Sequence, residues 1–418
     1  MNAFTVLFLV ALVAGLLAEW WLLRRQARHV QAHADRVPAA FADRIELEQH
    51  RKAADYTQAQ IQASRCELGF GAVWLVLLTL GGGIALLHSL WDGLGWDPIW
   101  SGTAVVLSVF LVLGLLDLPY DAWRTFGIEA RFGFNRATPA QFARDKLLGA
   151  LLAVALGGPL VAAVLWVMTA GGDLWWVYAW LIWMGFTLTL SWAYPRVIAP
   201  LFNRFTALEA GPVRERLERL LERCGFRSDG MFVMDGSKRS SHGNAYFTGL
   251  GRTKRIVFFD TLLNALAPEE LEAVLAHELG HFRRRHVAKR LLAIAAITLL
   301  GLVLLGWLRT QPWFYAGLGV PDATPAAALI LFLLVAPVFT QFLRPIGAWL
   351  SRRQEFEADA YAAAQADAGA LIRALVKLYR DNASTLTPDP IYSAFHHSHP
   401  PAPARIAHLE ALSRGATT

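Results

Sequence analysis

The chain has 418 residues, of which 55% are hydrophobic, with 16 Trp and 24 Phe, and its mean hydropathy is +0.37. Such apolarity, gathered into long runs, excludes an ordinary soluble enzyme and indicates a polytopic membrane protein. The net charge of +6 would suggest nucleic acid as the partner of a soluble protein. Here the basic residues lie between apolar runs and act as topology signals, so we expect a lipid bilayer and no nucleic acid as partner.

Seven runs of the sequence are apolar and long enough to predict membrane helices. The first could also be a signal peptide, but no basic segment precedes it and no small-x-small cleavage site follows it. Only a Gly-Gly-Asp turn separates the fourth and fifth runs, and Pro337 and Pro345 predict kinks in the seventh. The runs are residues 4–23, 68–90, 102–118, 147–170, 174–198, 291–308 and 325–350.

The charges between the runs predict how the chain is oriented. Basic segments alternate with segments that have few or no basic residues, and the positive-inside rule makes the basic side cytoplasmic. We therefore expect an N-terminus outside and a C-terminus inside, and the excess of Arg over Lys suggests a bacterial inner membrane. The basic segments are 24–67, which we expect to be a soluble helical loop, 118–146, 199–290 and 351–418; the others are 91–100, 171–173 and 309–324.

These boundaries predict four parts of the chain. A first part with five membrane helices is followed by a mixed segment, which we name the catalytic segment for the motif described next, by two further membrane helices and by a C-terminal segment of soluble character. The parts are residues 1–198, 199–290, 291–350 and 351–418.

The catalytic segment contains the motif His-Glu-Leu-Gly-His. On an α-helix, His277 and His281 lie four residues apart on one face, so that their rings can bind the same zinc ion. Glu278 can then take a proton from a water molecule activated by the metal. Pro268 predicts the start of this helix, which we expect to run straight into the sixth apolar run. The metal should therefore lie at the cytoplasmic boundary of the membrane.

His286 is one candidate for the third zinc ligand. It follows His281 by five residues, whereas the metzincin pattern places its third histidine six residues after the second, where this chain has Val287. We therefore expect His286 to be solvated or to face lipid headgroups.

Glu355 is the other candidate. Glu355 and Asp359 are four residues apart on a predicted helix, so Glu355 could complete the site and Asp359 could accept the second N–H of a ligand histidine. Spacing alone leaves it equally open that Glu355, Glu357 and Asp359 form a solvated acidic face beside Arg352 and Arg353.

Two short segments predict a β-hairpin before the motif helix. Residues 243–248 and 255–260 have strand character and flank a turn at 249–254. An exposed strand edge can bind an extended peptide by strand addition, with Asn244 against the peptide backbone. A hairpin with a purely structural role is compatible with the same pattern.

With these motifs, the sequence resembles the type I CAAX prenyl protease family of integral-membrane zinc endopeptidases. The resemblance is carried by HExxH followed, after one membrane hairpin, by SRRxExxADxxA, and it extends through nearly the whole chain. Further segments that resemble the family are 124–135, 199–203, 241–249 and the SHPP element within 397–401 with Arg405.

The resemblance implies a mainly α fold, in which seven membrane helices enclose an intramembrane chamber. A small α+β protease domain would hold one zinc ion at the cytoplasmic side, with Glu355 as third ligand. Asp359 matches a position beside the ligands and would support them or act as proton donor. His399 and Arg405 match positions that face the metal, where they could stabilise an oxyanion. The substrate would be a peptide or protein, prenylated or otherwise associated with the membrane.

Three alternatives can be weighed against this reading. A membrane heat-shock (quality-control) metalloprotease shares HExxH and ExxxAD but normally has fewer spans and lacks the SHPP tail. A transporter with structural zinc would carry charged residues inside its spans, whereas the runs here are nearly free of them and their acidic residues, Glu19 and Asp117, lie near run ends. A receptor-like seven-helix protein would have no need of HExxH and ExxxD motifs at its membrane ends.

Overall fold

The structure, a computed structural model, describes residues 2–248 and 255–415 and is mainly helical. The α-helices of the described residues are α1 (Ala3–Ala32), α2 (Leu47–Leu78), α3 (Gly83–Asp92), α4 (Pro98–Ala122), α5 (Pro139–Ala170), α6 (Trp175–Ala193), α7 (Ala199–Phe202), α8 (Pro212–Arg223), α9 (Asp260–Ala265), α10 (Pro268–Arg283), α11 (His286–Leu308), α12 (Pro312–Gly317), α13 (Pro325–Thr340), α14 (Arg344–Gln365), α15 (Ala368–Asp381), α16 (Pro390–His396) and α17 (Ala402–Gly415). The strands are β1 (Phe205–Ala207), β2 (Met231–Met234), β3 (Ala245–Thr248) and β4 (Arg255–Phe259).

Within the described residues, seven helical segments are long and apolar enough to cross a membrane, and each overlaps one predicted run. Three of them include short 3-10 or π-helical parts that continue an α-helix. The predicted fold class, a mainly α polytopic membrane protein with a small α+β domain, is confirmed. The segments are Ala3–Ala32, Leu47–Leu78, Pro98–Glu129, Pro139–Ala170, Gly172–Phe202, His286–Leu308 and Pro325–Gln365.

The helix ends differ from the predicted runs where helix continues through polar sequence. Most of the predicted loop 24–67 is helical, because α1 continues to Ala32 and α2 begins at Leu47. Polar sequence does not end these helices, because tertiary packing holds them in place: side chains in this segment such as Gln26 and Val30 are buried. The second predicted run is in turn interrupted after Leu78, where Gly82 adopts a left-handed φ of 78° before α3 begins.

The last span contains the predicted break. Pro337 lies inside α13, and a 3-10 turn at Gln341–Leu343 separates α13 from α14, whose first turn contains Pro345. α13 packs against α1, α4, α5 and α11, and its residues 326–331 belong to the apolar core of this half of the molecule. α14 then continues through Glu355 into the catalytic region.

A mixed four-stranded sheet supports the catalytic segment. Its order is β1-β2-β4-β3, with β2 and β4 parallel and the other pairs antiparallel. β3 and β4 are the predicted strands, and the predicted turn between them lies outside the described residues. β3 is an edge strand, whereas the central β4 buries Ile256 and Phe258 in one apolar cluster with residues of α8, α9 and α10.

The motif helix does not run straight into the sixth span, as we expected. α10 begins at Pro268 as predicted, but it ends at Arg283. Arg285 has a positive φ of 56°, a conformation that stops an α-helix, and α11 begins one residue later. The resulting corner turns His286 back toward α10.

Candidate active site

One cavity of about 820 Å³ brings most of the predicted site residues together. Its wall is formed by parts of α1, α2, α10, α14 and α15, by residues 242–245 and by the C-terminal segment. Asp359 is not in this wall, because it is fully buried behind it. The predicted site residues in the wall are Asn244, His277, Glu278, His281, Glu355, His399 and Arg405.

His277, His281 and Glu355 form a triangle of possible metal donors, and their ligand atoms lie within 4.8 Å of one another. The two histidine Nε2 atoms are 3.2 Å apart, and Glu355 carboxylate oxygens lie 3.2 Å from His281 Nε2 and 3.5 Å from His277 Nε2. Bonds of about 2.0 to 2.1 Å in a tetrahedral zinc site would separate the donors by about 3.3 Å. Glu355 Oε2 is also buried without a hydrogen bond to any described residue. The donor set therefore fits a zinc ion.

The surroundings of His277 favour positive charge at this point. Its Nδ1 lies 2.8 Å from Asp359 Oδ1 on the side away from His281. Burial and the positive charge of Arg405 lower the pKa of His277, but its contacts with the carboxylates of Asp359 and Glu355 outweigh both and raise it to about 9. The same carboxylates would stabilise a metal cation. Asp359 thus lies where the sequence predicted an acceptor for a ligand histidine.

Arg405 and Asp359 form a buried ion pair directly behind the donor triangle. Arg405 donates from Nε and Nη2 to the two Asp359 carboxylate oxygens, at 2.9 and 2.5 Å. Its Nη1 lies 3.7 Å from Glu355 Oε2, and only 6% of Arg405 is exposed. The burial of Glu355 and Asp359 excludes the alternative that they form a solvated acidic face.

Glu278 and His399 face the cavity beside the donors. Burial raises the pKa of Glu278, and the charge of Glu355 adds to this effect, whereas the histidines and Arg405 oppose it. His399 Nε2 lies 3.6 Å from Glu355 Oε1, and 63% of its side chain remains open toward the cavity. Both side chains can therefore reach a peptide bound there.

Gly280 allows the two ligand helices to pack closely. A Cβ atom at this position would lie 2.9 Å from Ala358 Cα and 3.0 Å from Ala358 O, both of them backbone atoms of α14. This close approach places Glu355 of α14 opposite the histidines of α10.

Asn244 lies in the cavity wall immediately before the edge strand β3. Its backbone carbonyl accepts a hydrogen bond from Phe259 N, which ties it to β4, and its side chain is exposed. The outer edge of β3 can accept a further strand, as the sequence suggested.

The prediction for His286 was wrong, because only 2% of this residue is exposed. Its Nδ1 lies 3.0 Å from His281 Nδ1, and its Nε2 lies 3.2 Å from Glu357 Oε2. For Glu357 the sequence had suggested only a place on a solvated acidic face. A third histidine five residues after HExxH was the available signal, but the metzincin spacing rule led us to discard it.

Arg352 was also missed as a supporting residue. Its guanidinium donates to the backbone carbonyls of Ser393, Ala394 and His397 at the end of α16, at 3.1, 3.1 and 2.8 Å. Cations commonly satisfy free carbonyls at a helix C-terminus in this way. The contact fixes the segment that carries His399.

Comparisons with known proteins agree with this architecture. Residues 26–204 match the family described as "CAAX prenyl protease N-terminal, five membrane helices", and residues 207–413 match peptidase family M48. The chain is 38% identical to the CAAX prenyl protease 1 homolog of Oryza sativa subsp. japonica over 73% of this chain and 72% of that one. It is 30% identical to the human CAAX prenyl protease 1 homolog over 95% and 93% of the two chains.

A solved structure extends the likeness to the whole fold. The crystal structure of S. mikatae Ste24p superposes with a TM-score of 0.91 at 28% identity, covering 98% of this chain and 99% of that one. A quality-control protease, a transporter and a receptor are therefore not favoured. The chain belongs to the CAAX prenyl proteases of peptidase family M48, and it is an integral, multi-pass membrane metalloendopeptidase.

Proposed function

We propose that this protein is a zinc endopeptidase that cleaves lipidated peptides near their C-terminus, with His277, His281 and Glu355 as the zinc ligands. The observation that carries the proposal is the donor triangle in the cavity wall, with its edges of 3.2, 3.2 and 3.5 Å. Zinc supplies Lewis acidity when bound, which activates water and polarises a carbonyl group.

Glu278 is the general base in this proposal. Its carboxylate takes a proton from the attacking water, whose oxygen forms a bond to the peptide carbonyl carbon. When the C–N bond breaks, the proton passes from Glu278 to the leaving amine, so that one water molecule is consumed for each peptide bond. The raised pKa of Glu278 suits a group that both accepts and returns a proton.

His399 and Arg405 would stabilise the negative charge that develops on the carbonyl oxygen. His399 is the direct candidate, because its ring is open to the cavity. Arg405 would act through the electrostatic field of its positive charge and not by direct contact, because its guanidinium is held by Asp359 and reaches only the edge of the cavity. Asp359 is fully buried and already accepts from two donors, so we assign it the support of His277 rather than proton donation.

The substrate would bind as an additional strand along β3, with Asn244 against its backbone. A prenyl chain would lie against the aliphatic part of the cavity wall, where Val274 and Leu378 are half-buried and Ile61, Leu262, Leu371 and Leu375 are buried beneath the surface. In the predicted topology this cavity is reached from the cytoplasmic side.

The experiment compares two fluorogenic peptides of one CAAX sequence, with and without a farnesyl group on the cysteine, as substrates of the protein purified in detergent. We expect faster cleavage of the farnesylated peptide, loss of cleavage with a chelator and recovery with zinc. Glu278→Gln should retain zinc without activity, whereas Glu410→Gln, at an exposed position on α17, should behave as wild type. Equal cleavage of both peptides would contradict the lipid preference, and absence of bound zinc would contradict the ligand set.

A further inference from the structure

His286 is a buried histidine that contacts a proposed metal ligand without belonging to the donor set. It opens α11 directly after the corner at Arg285, and this corner directs its ring toward His281. The two rings are close enough for one hydrogen bond, with 3.0 Å between their Nδ1 atoms. On its other side, His286 Nε2 lies 3.2 Å from Glu357 Oε2 on α14.

Proton positions in this chain of groups follow from the chemistry of imidazole. A histidine that binds a metal through Nε2 carries its proton on Nδ1, so His281 must donate to His286. His286 Nδ1 is then an acceptor, which leaves its proton on Nε2. Glu357 is an acceptor when ionised and receives that proton. With His281 bound to a metal through Nε2, the hydrogen bonds therefore run in one direction, from His281 to His286 and from His286 to Glu357.

We propose that His286 and Glu357 are positioning residues that fix the tautomer and ring orientation of His281 and strengthen its binding of zinc. The inference rests on the ligand set of the proposed function. It gives the two ligand histidines different supports: His277 is held by Asp359 directly, at 2.8 Å, whereas His281 is held by a carboxylate through a second imidazole.

The difference between the supports follows from the fold. Asp359 lies one helical turn after Glu355 on α14, on the side of His277. At Nδ1 of His281 the contact is with an imidazole instead, because the ring of His286 lies between His281 Nδ1 and the carboxylate of Glu357. Only 2% of His286 is exposed, whereas the Glu357 side chain is 33% exposed, so the chain of groups runs from the interior toward the surface.

The test measures the zinc dissociation constant of the full-length protein in detergent, by competition with a chelator of known affinity. His286→Phe keeps a ring of similar size but removes both nitrogens, and Glu357→Leu removes the terminal acceptor. We expect each to weaken zinc binding about 10- to 100-fold, the range for groups that orient metal ligands. The double variant should be no weaker than His286→Phe, because both changes interrupt one chain of groups.

Two further variants separate positioning from a structural role. His286→Asn places an amide oxygen near the former Nδ1 position and should retain most of the affinity. Arg353→Gln removes the surface ion pair of Glu357, in which Arg353 Nε lies 3.4 Å from Glu357 Oε1. This variant should not change the zinc affinity. Melting temperatures recorded in excess chelator report the stability of the fold without the contribution of zinc.

The outcomes distinguish this inference from the proposed function. If wild type binds one zinc ion and His286→Phe binds it as tightly, the inference is overturned while the ligand set stands. A loss in Arg353→Gln as large as that in Glu357→Leu would show that only local charge matters, and additive losses in the double variant would break the link between the two groups. If wild type binds no zinc, the proposed function fails first.

Discussion

Gly280→Ala tests whether close packing of α10 against α14 assembles the metal site. The new Cβ would lie 2.9 Å from Ala358 Cα, whereas ordinary contacts begin at 3.4 Å. The obstructing atoms belong to the backbone, so the helices must separate by roughly half an ångström. Overpacking of this kind costs about 1 to 3 kcal/mol, and the better helix propensity of Ala returns about 1 kcal/mol. The net loss of stability should therefore be small.

The effect on metal binding should be larger, because the donors lie on both helices. His277 and His281 move with α10, whereas Glu355 moves with α14. Metal–ligand distances tolerate changes of only about 0.2 Å, so a shift of half an ångström should weaken zinc binding about 10-fold or more. The assay is chelator competition, with a melting curve in detergent for comparison.

Gly301→Ala is the matched control. Gly301 also lies in a helix at a helix–helix contact, but its Cβ would meet the ring of Phe332 at 3.6 Å, an ordinary contact distance. This variant should bind zinc as wild type does. If Gly280→Ala also keeps the wild-type zinc affinity and melting temperature, the argument that this contact sets the donor distances is wrong.

Three other predictions follow from the site and its supports. Removal of zinc by a chelator should lower the melting temperature, because a ligand at 1,000 times its dissociation constant stabilises the native state by about 4 kcal/mol; an unchanged melting curve would contradict a bound metal. Arg405→Met removes the arginine partner of the buried Asp359 carboxylate, to which only His277 would then remain, and should cost about 3 to 5 kcal/mol, seen as a large drop in melting temperature; a wild-type melting temperature would refute the pairing. Asp389 caps α16 and pairs with Arg25 on α1, so Asp389→Ala should cost about 1 to 2 kcal/mol and lower kcat by displacing His399, whereas Asp389→Asn should keep the cap and lose less of both.

The features that could be predicted from the sequence are those that depend on a local pattern of residues. Apolar runs identified the seven spans, and the i, i+4 spacing placed His277 and His281 on one face of α10. Glu355 could not be assigned from spacing, because its role depends on the approach of α14 to α10, which no local pattern encodes. The family resemblance supplied this ligand, and the donor geometry agrees with it.

The features that the sequence did not predict also depend on contacts or conformations that no local pattern encodes. His286 was predicted from the metzincin spacing to be solvated or to face lipid headgroups, and its burial could not be foreseen because its partner Glu357 lies 71 residues away in the chain. The corner before α11 depends on the positive φ of Arg285, a conformation that its sequence does not signal. β1 and β2 are three and four residues long, too short for periodicity to reveal. The cytoplasmic orientation and the four-part division remain predictions.

The charges around the donor triangle explain why one arginine is buried there. Glu278, Glu355 and Asp359 would together carry three negative charges when ionised, and Arg405 carries one positive charge, which leaves a net charge of −2 around histidines that are neutral when they bind a metal. A divalent cation neutralises this cluster completely, whereas without Arg405 one negative charge would remain in a poorly solvated place. Arg405 therefore matches the site to a 2+ ion, and at the same time its two hydrogen bonds hold Asp359 against His277. Glu278→Gln removes the general base and should therefore abolish cleavage. It changes the charge balance by only one and removes no donor, so the metal should be retained.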